Sequence, residues 1–168
     1  MKVFGLAGWR NSGKTTLMVR LVSLLTGQGL RISTVKHADL SFDIDQPGKD
    51  SHRHRTAGAT EVVVASARRW ALIHELREEP EPDLGELLKH MAEVDLVLIE
   101  GFKKLGHDKI EVHRAANGKP LIAPDDPRIV AIASDGPVAD AKVPVLALDD
   151  AEAIAEFILT HCQIGARE

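Results

Sequence analysis

The sequence predicts an α/β fold: a mainly parallel sheet with an antiparallel hairpin attached. Three observations carry this. The chain opens as an apolar run, a glycine-rich loop and a helical repeat, Lys2 to Thr26. Short β-branched or apolar runs then alternate with amphipathic stretches. Two five-residue runs flank Ser66-Ala67-Arg68-Arg69 closely enough to pair as a hairpin. At 168 residues the chain is the size of one domain, 1–168.

Lys2 to Ala7 is short, apolar and ends before glycine, which predicts a buried strand. Leu17, Leu21, Leu24 and Leu25 recur at helical spacing, so Thr15 to Thr26 is a helix that Gly27 and Gly29 stop. Leu30 to Lys36 is the second strand, followed by a polar stretch with a turn at Pro47-Gly48. A short helix is expected over Lys49 to Gly58. The hairpin strands are Glu61 to Ala65 and Trp70 to His74, and Trp70 is expected in the core or an interface. Leu84 to Val94 is expected to be helical and leads into an apolar strand, Asp95 to Ile99. Later strands are expected at Lys109 to Arg114, Ile129 to Ala133 and Val143 to Ala147. A last helix, capped by Asp149 or Asp150, is expected to end near His161.

Composition narrows the function classes. The residues are 44% hydrophobic and 27% charged, with a formal charge of −4. Such a balance argues against a general nucleic-acid or membrane-surface binder, and any pull on anions is then local. Cys162 is the lone cysteine, so no disulfide can close within the chain. The N-terminal run is too short for a signal peptide's apolar region. No stretch approaches the ~20 apolar residues of a membrane span. The expected location is the cytoplasm.

Gly8-Trp9-Arg10-Asn11-Ser12-Gly13-Lys14-Thr15 fits G-x-x-x-x-G-K-[ST], the Walker A pattern, at every position. Glycines at the two ends let phosphate approach the main chain. The amides of Arg10, Asn11, Ser12 and Gly13 then form an anion nest, and the following helix presents its positive end. Lys14 supplies a full charge to the β and γ phosphates, and the Thr15 hydroxyl is a magnesium ligand. The pattern lies between a predicted strand and a predicted helix, which is the context its chemistry requires.

Magnesium beside such a loop needs a carboxylate. Asp95 and Glu100 sit at opposite ends of one strand, about 16 Å apart at ~3.3 Å per residue. Ligands bind at the carboxyl ends of parallel strands, which selects Glu100 and leaves Asp95 as a turn residue. In the extended stretch after strand two, Asp43 and Asp45 share one side, with Phe42 and Ile44 on the other. That carboxylate pair either holds magnesium through water, orients an attacking water, or is solvated loop charge. Lys36, Lys49, Arg53 and Arg55 are candidates for a local positive field. His37, at a strand's carboxyl end, is a site candidate. His52 and His54 do not share a helix face and read as solvated.

These residues together resemble the molybdopterin-guanine dinucleotide biosynthesis protein B family, MobB, a small P-loop GTP-binding family. The resemblance runs over nearly the whole chain: GWRNSGKTTL, the VKH closing strand two, DIDQPGKDS with the following RTAGA, then ARRWAL, LVLIEGFK and IASD. It implies a three-layer P-loop NTPase fold, Mg·GTP as ligand and at most slow GTP hydrolysis. It also implies an accessory role in molybdenum cofactor biosynthesis. The chain would help a partner nucleotidyltransferase, MobA, attach GMP to molybdopterin, with molybdopterin itself a candidate ligand and a homodimer expected.

By that resemblance Gly8, Gly13, Lys14, Thr15 and Glu100 serve phosphate and magnesium, and Thr16 the α phosphate. Magnesium would be bridged by Thr15 and by Glu100 or Asp43, and Lys14, Glu100 and Asp43 are the candidate catalytic groups. The usual guanine motif Asn-Lys-x-Asp is absent; Asp135, just past RIVAIAS, stands where a guanine-reading carboxylate belongs. Two alternatives share the loop: a nickel-insertion GTPase, for which the expected Cys/His cluster is missing from the sequence, and a small-molecule kinase.

Overall fold

Six short apolar runs assemble into one sheet because each has a neighbour with which to exchange main-chain hydrogen bonds along its whole length. In the computed structural model, which describes residues 1–38, 42–101 and 106–165, they are β1 (Lys2–Ala7), β2 (Ile32–Lys36), β5 (Leu96–Glu100), β6 (Lys109–His113), β7 (Ile129–Ser134) and β8 (Val145–Ala147). Their spatial order is β2-β5-β1-β6-β7-β8, and every pairing is parallel. The chain divides into two compact units: Met1–His37 with Ala92–Glu168, which holds this sheet, and Ala38–Met91.

The sheet's core follows from side-chain alternation. Phe4 and Leu6 of β1, Leu96 and Leu98 of β5, and Ile110 and Val112 of β6 all point to one face. There they meet Leu17, Leu21 and Leu25 of α1 (Lys14–Gly27) and Ile154 and Ile158 of α4 (Ala151–Cys162). Val97 and Ile99 are equally buried on the opposite face, which is why β5 reads as an unbroken apolar run. Polar groups are also buried on that face. Lys109 is ion-paired to Asp126 at 3.0 Å. The Glu111 carboxylate accepts from the amides of Ile122 and Ala123 at 2.8 Å each, and so holds the segment that follows β6 against the sheet.

The second unit contains α2 (Asp50–Thr56), the strands β3 (Glu61–Ala65) and β4 (Trp70–His74), and α3 (Leu84–Lys89). The hairpin has the predicted boundaries and register, Glu61 opposite His74 through Ala65 opposite Trp70. It forms a two-stranded sheet of its own rather than the antiparallel edge of the large sheet. Trp70 is 67% exposed and not part of the core.

Most element boundaries lie within two residues of the sequence reading, and Asp150 is the cap of α4, accepting from the Ala153 amide at 2.9 Å. Several shift by one or two residues, as in α1, α2 and β5, and three shifts have a visible cause. α3 ends at Lys89 instead of Val94, its last turn closed by the His90 and Met91 amides on Leu87 O and Leu88 O, and Asp95 beyond it leads into the sheet. Its amide donates to Arg31 O at 3.0 Å, and its carbonyl accepts from the Lys2 amide at 3.2 Å. β2 starts at Ile32, since the Leu30 amide closes the end of α1 onto Leu25 O. β8 starts at Val145: Pro144 has no N–H to give a ladder, although its carbonyl accepts from Ile132. No helix among the described residues is long and apolar enough to cross a membrane.

Candidate functional site

β1 ends at Ala7 in the middle of the sheet, and the chain turns through Gly8–Gly13 into α1. The turn needs its two glycines for different reasons. A Cβ on Gly8 would lie 2.5 Å from the Val112 carbonyl oxygen and 2.7 Å from Ser12 Oγ, so no side chain fits between β1 and β6 there. Gly13 has φ of 99°, a left-handed conformation that L side chains resist. It starts α1 with no side-chain cap and no acidic residue in the first turn. The positive end of a 14-residue helix is therefore left for an anion. Lys14 folds back over the loop, its Nζ donating to Gly8 O at 3.0 Å and Trp9 O at 2.9 Å.

Thr15 and Glu100, 85 residues apart in sequence, meet here: Thr15 Oγ1 donates to Glu100 Oε1 at 2.8 Å. The parallel pairing of β1 and β5 brings this about, with Leu6 opposite Glu100. Lys36, at the end of β2, places Nζ 3.8 Å from the same carboxylate oxygen. His37 and Gly101 adjoin this edge; the His37 amide donates to Glu100 O at 2.9 Å. Asp95, at the far end of β5, accepts from the Arg31 amide at 2.8 Å, a structural use that matches its exclusion from the site. Sheet polarity thus chooses between the two acids as strand direction predicts.

Beside the loop lies a cleft of about 510 Å³. Gly13, Thr16, Arg20 and Leu17 form its α1 wall, and Arg114, Asp135 and the 145–149 segment face them. The Asp135 carboxylate is engaged on both oxygens. Oδ1 accepts from the Ala115 amide at 2.8 Å and Oδ2 from the Arg114 guanidinium at 3.2 Å. Arg114 has no role in the sequence reading, yet its guanidinium comes so near Gly13 that an added Cβ would meet Nη2 at 3.2 Å. A basic residue just past the carboxyl end of the strand beside β1 is the signal that points to it. Arg10 and Asn11 are exposed, and Ser12 is buried with Oγ unpartnered. The segment after β6 also touches the loop: Trp9 Nε1 donates to Pro120 O at 2.8 Å, and Asn117 Nδ2 to Arg10 O at 3.3 Å.

Asp43 belongs to the other unit, where its partner is a cation. Arg55 reaches Asp43 at 2.7 Å, Glu75 at 2.8 Å and Asp45 at 3.5 Å. The Asp45 amide and then Arg55 hold the Asp43 carboxyl below its ordinary range. Hydrogen bonds to Glu75 and then Asp43 raise the guanidinium's affinity for its proton. Arg55 is thus committed to carboxylates and does not add to a field for phosphates. Asp43 and Asp45 both face Arg55, though through a turn in which the Asp45 amide donates to Asp43 Oδ1 at 2.8 Å rather than an extended stretch, and Phe42 and Ile44 are exposed. Among the described residues no group of three or more His, Cys, Asp or Glu side chains is placed to hold a metal ion. The donor set at the loop is instead one hydroxyl and one carboxylate, which fits a magnesium whose remaining ligands come from phosphates and water.

Comparison with known proteins places the whole assembly. The sequence model of the family described as "Molybdopterin guanine dinucleotide synthesis protein B" matches residues 3–135. The molybdopterin-guanine dinucleotide biosynthesis adapter protein of Escherichia coli (strain K12) is 39% identical over 160 residues, covering 94% of this chain and 91% of that one. The protein of the same description from Haemophilus influenzae is 35% identical, over 93% of this chain and 86% of that one. A crystal structure of molybdopterin-guanine biosynthesis protein B superposes with a TM-score of 0.76 at 34% identity, over 96% of this chain and 99% of that one. With its family matched from β1 to the end of β7, and with relatives matched over most of both chains, the chain belongs to the molybdopterin guanine dinucleotide synthesis protein B family.

Proposed function

We propose that this chain binds Mg·GTP at Gly8–Thr15 and serves as an accessory protein to the nucleotidyltransferase that joins GMP to molybdopterin. The observation that carries the nucleotide half is the Thr15–Glu100 contact of 2.8 Å beside the uncapped start of α1. It brings together a hydroxyl, a carboxylate and a helix end of the kinds a metal-bound triphosphate requires. The pathway half is supported by relatives that bear the description of biosynthesis adapter proteins.

In this reading the loop amides and Lys14 grip the phosphates, Lys14 exchanging its two carbonyl partners for phosphate oxygens. Thr15 and Glu100 would hold the ion, the hydroxyl as a direct ligand and the carboxylate directly or through water. Magnesium would neutralise charge on the β and γ phosphates. Lys36, 3.8 Å from the Glu100 carboxylate, helps hold it in place. Asp43, spent on Arg55, is the weaker candidate for that role. For the base, Asp135 would have to exchange Arg114 for guanine N–H groups. Among the described residues no side chain at the loop is an evident activator of water, which favours slow hydrolysis and a delivery or switch role over a fast enzyme.

Titration calorimetry with Mg·GTP and Mg·ATP tests the reading. Lys14→Ala should weaken GTP binding by about 1.5–3 kcal/mol, roughly tenfold or more. Unchanged affinity would sink the nucleotide assignment. Asp135→Asn should reduce the preference for GTP over ATP; an unchanged preference removes Asp135 as the reader. Pull-down of the transferase with and without GTP addresses the partner.

A further inference from the structure

A triphosphate on the loop would have a direction across the sheet, and that direction gives Arg114 a task. β1 and its loop have β5 and β2 on one side and β6 and β7 on the other. Thr15 and Glu100, the groups suited to magnesium, meet on the β5 side. Magnesium bridges the β and γ phosphates, so the outer end of a triphosphate belongs there. The remainder of the nucleotide must then lead away toward β6 and β7. On that side the cleft of about 510 Å³ opens between α1 and Asp135. Arg114 directly follows β6 and lines the cleft together with Gly13 and Thr16.

The two ends of its guanidinium face different groups. Nη1 donates to Asp135 Oδ2 at 3.2 Å, which fixes the orientation of the plane. Nη2 has no hydrogen-bond partner among the described residues, and a Cβ added to Gly13 would meet it at 3.2 Å. Gly13 starts α1 with no side-chain cap and no acid in the first turn. A cation beside the positive end of a helix is repelled unless a negative group lies against both. Asp135 lies against Nη1, on the side away from that helix end. The Arg114 side chain is 43% exposed, so an anion from solvent can reach it. A phosphate seated there would accept from Nη2 and from the start of α1 at once, through charge-assisted hydrogen bonds.

We propose that Arg114 is a ligand of the nucleotide's inner, α phosphate beside Gly13 and Thr16, with no contact to the γ phosphate. This rests on the reading under Proposed function that Gly8–Thr15 holds a triphosphate. Contact through Nη2 leaves the Asp135 pair intact. Where guanine takes Asp135 instead, the phosphate keeps the displaced guanidinium from being left without a partner. Arg114 then links the two halves of the ligand, touching the phosphate and adjoining the group proposed to read the base.

The test is calorimetry on the full chain with Mg·GTP, Mg·GDP and Mg·ATP, for the unaltered protein, Arg114→Gln and Arg114→Lys. Arg114→Gln should weaken all three by one common factor, about tenfold, because the α phosphate is common to them. Arg114→Lys keeps the charge without the planar fork and should show a smaller loss, again equal across the three. Denaturant unfolding establishes that each variant folds, and the lysine variant carries the same comparison if the glutamine variant does not. Unchanged GDP affinity in a folded variant overturns the proposal. A loss confined to GTP and ATP also overturns it, since the arginine would then act at the γ phosphate. A loss for GTP and GDP that spares ATP overturns it too, by showing that Arg114 acts on the base through Asp135. No nucleotide binding by the unaltered chain removes the proposed function itself. Binding that Lys14→Ala weakens and Arg114→Gln does not removes this inference alone.

Discussion

The two units of this protein are held together in opposite ways. The sheet unit buries side chains from four parallel strands beneath two helices, and nearly all of the chain's buried apolar residues belong to it. In Ala38–Met91, Val62 is the single apolar side chain buried among the described residues. Cohesion there comes from Arg55, which ties the loop bearing Asp43 and Asp45 to Glu75 at the end of the hairpin. An apolar core is indifferent to pH and salt, whereas a part-exposed ion cluster answers to both. The sheet unit is suited to holding a phosphate loop in a fixed shape. The second unit is suited to changing its own.

The contrast can be broken from the sheet side first. Leu21→Ala removes a fully buried side chain between α1 and the sheet, and should cost about 3 kcal/mol in denaturant unfolding. A loss well under 1 kcal/mol would mean the core is far looser than its burial implies. Next in size is Asp150→Ala, which deletes the cap of α4; a loss of about 1 kcal/mol is expected by the same measurement. From the other side, Arg55→Met should speed amide hydrogen exchange at 43–75 and leave β1, β5 and β6 protected. Equal loosening of both would show that the second unit's cluster also supports the sheet.

The smallest effect is a pH dependence confined to the hairpin. His74 bridges Glu61 at 2.8 Å and Glu79 at 3.3 Å. The Glu61 hydrogen bond and then that from Glu79 raise its pKa above the ordinary 6.5. Stabilisation from a raised histidine is complete below 6.5 and fades as pH climbs through the raised value. Hairpin protection, corrected for intrinsic exchange, should therefore fall across that window and become flat in His74→Gln. Protection that rises with pH would reverse the sign and dismiss the bridge.

Legibility in the sequence follows the same division. β1, the loop and α1 are local features, and Glu100 against Asp95 needs only strand polarity, so a single pass along the chain finds them. The fate of Asp43 depends on Arg55 and Glu75, brought together by a turn and a hairpin that periodicity does not position relative to each other. Arg114 becomes visible only when β6 is known to lie beside β1, a pairing between strands far apart in the chain. The end of α3 is set where the His90 and Met91 amides close its last turn onto Leu87 O and Leu88 O. Propensity at Ala92–Val94 carries no trace of that.

The Trp9 hydrogen bond to Pro120 has a spectroscopic consequence. The chain has two tryptophans and no tyrosine, so its near-ultraviolet emission comes from one indole in each unit. Trp9 sits in the phosphate loop, 36% exposed with its N–H donated to Pro120 O, while Trp70 on the hairpin is 67% exposed. Each Trp→Phe variant leaves a single-chromophore protein. One reports on events at the loop and the other on events at the hairpin, without any label added.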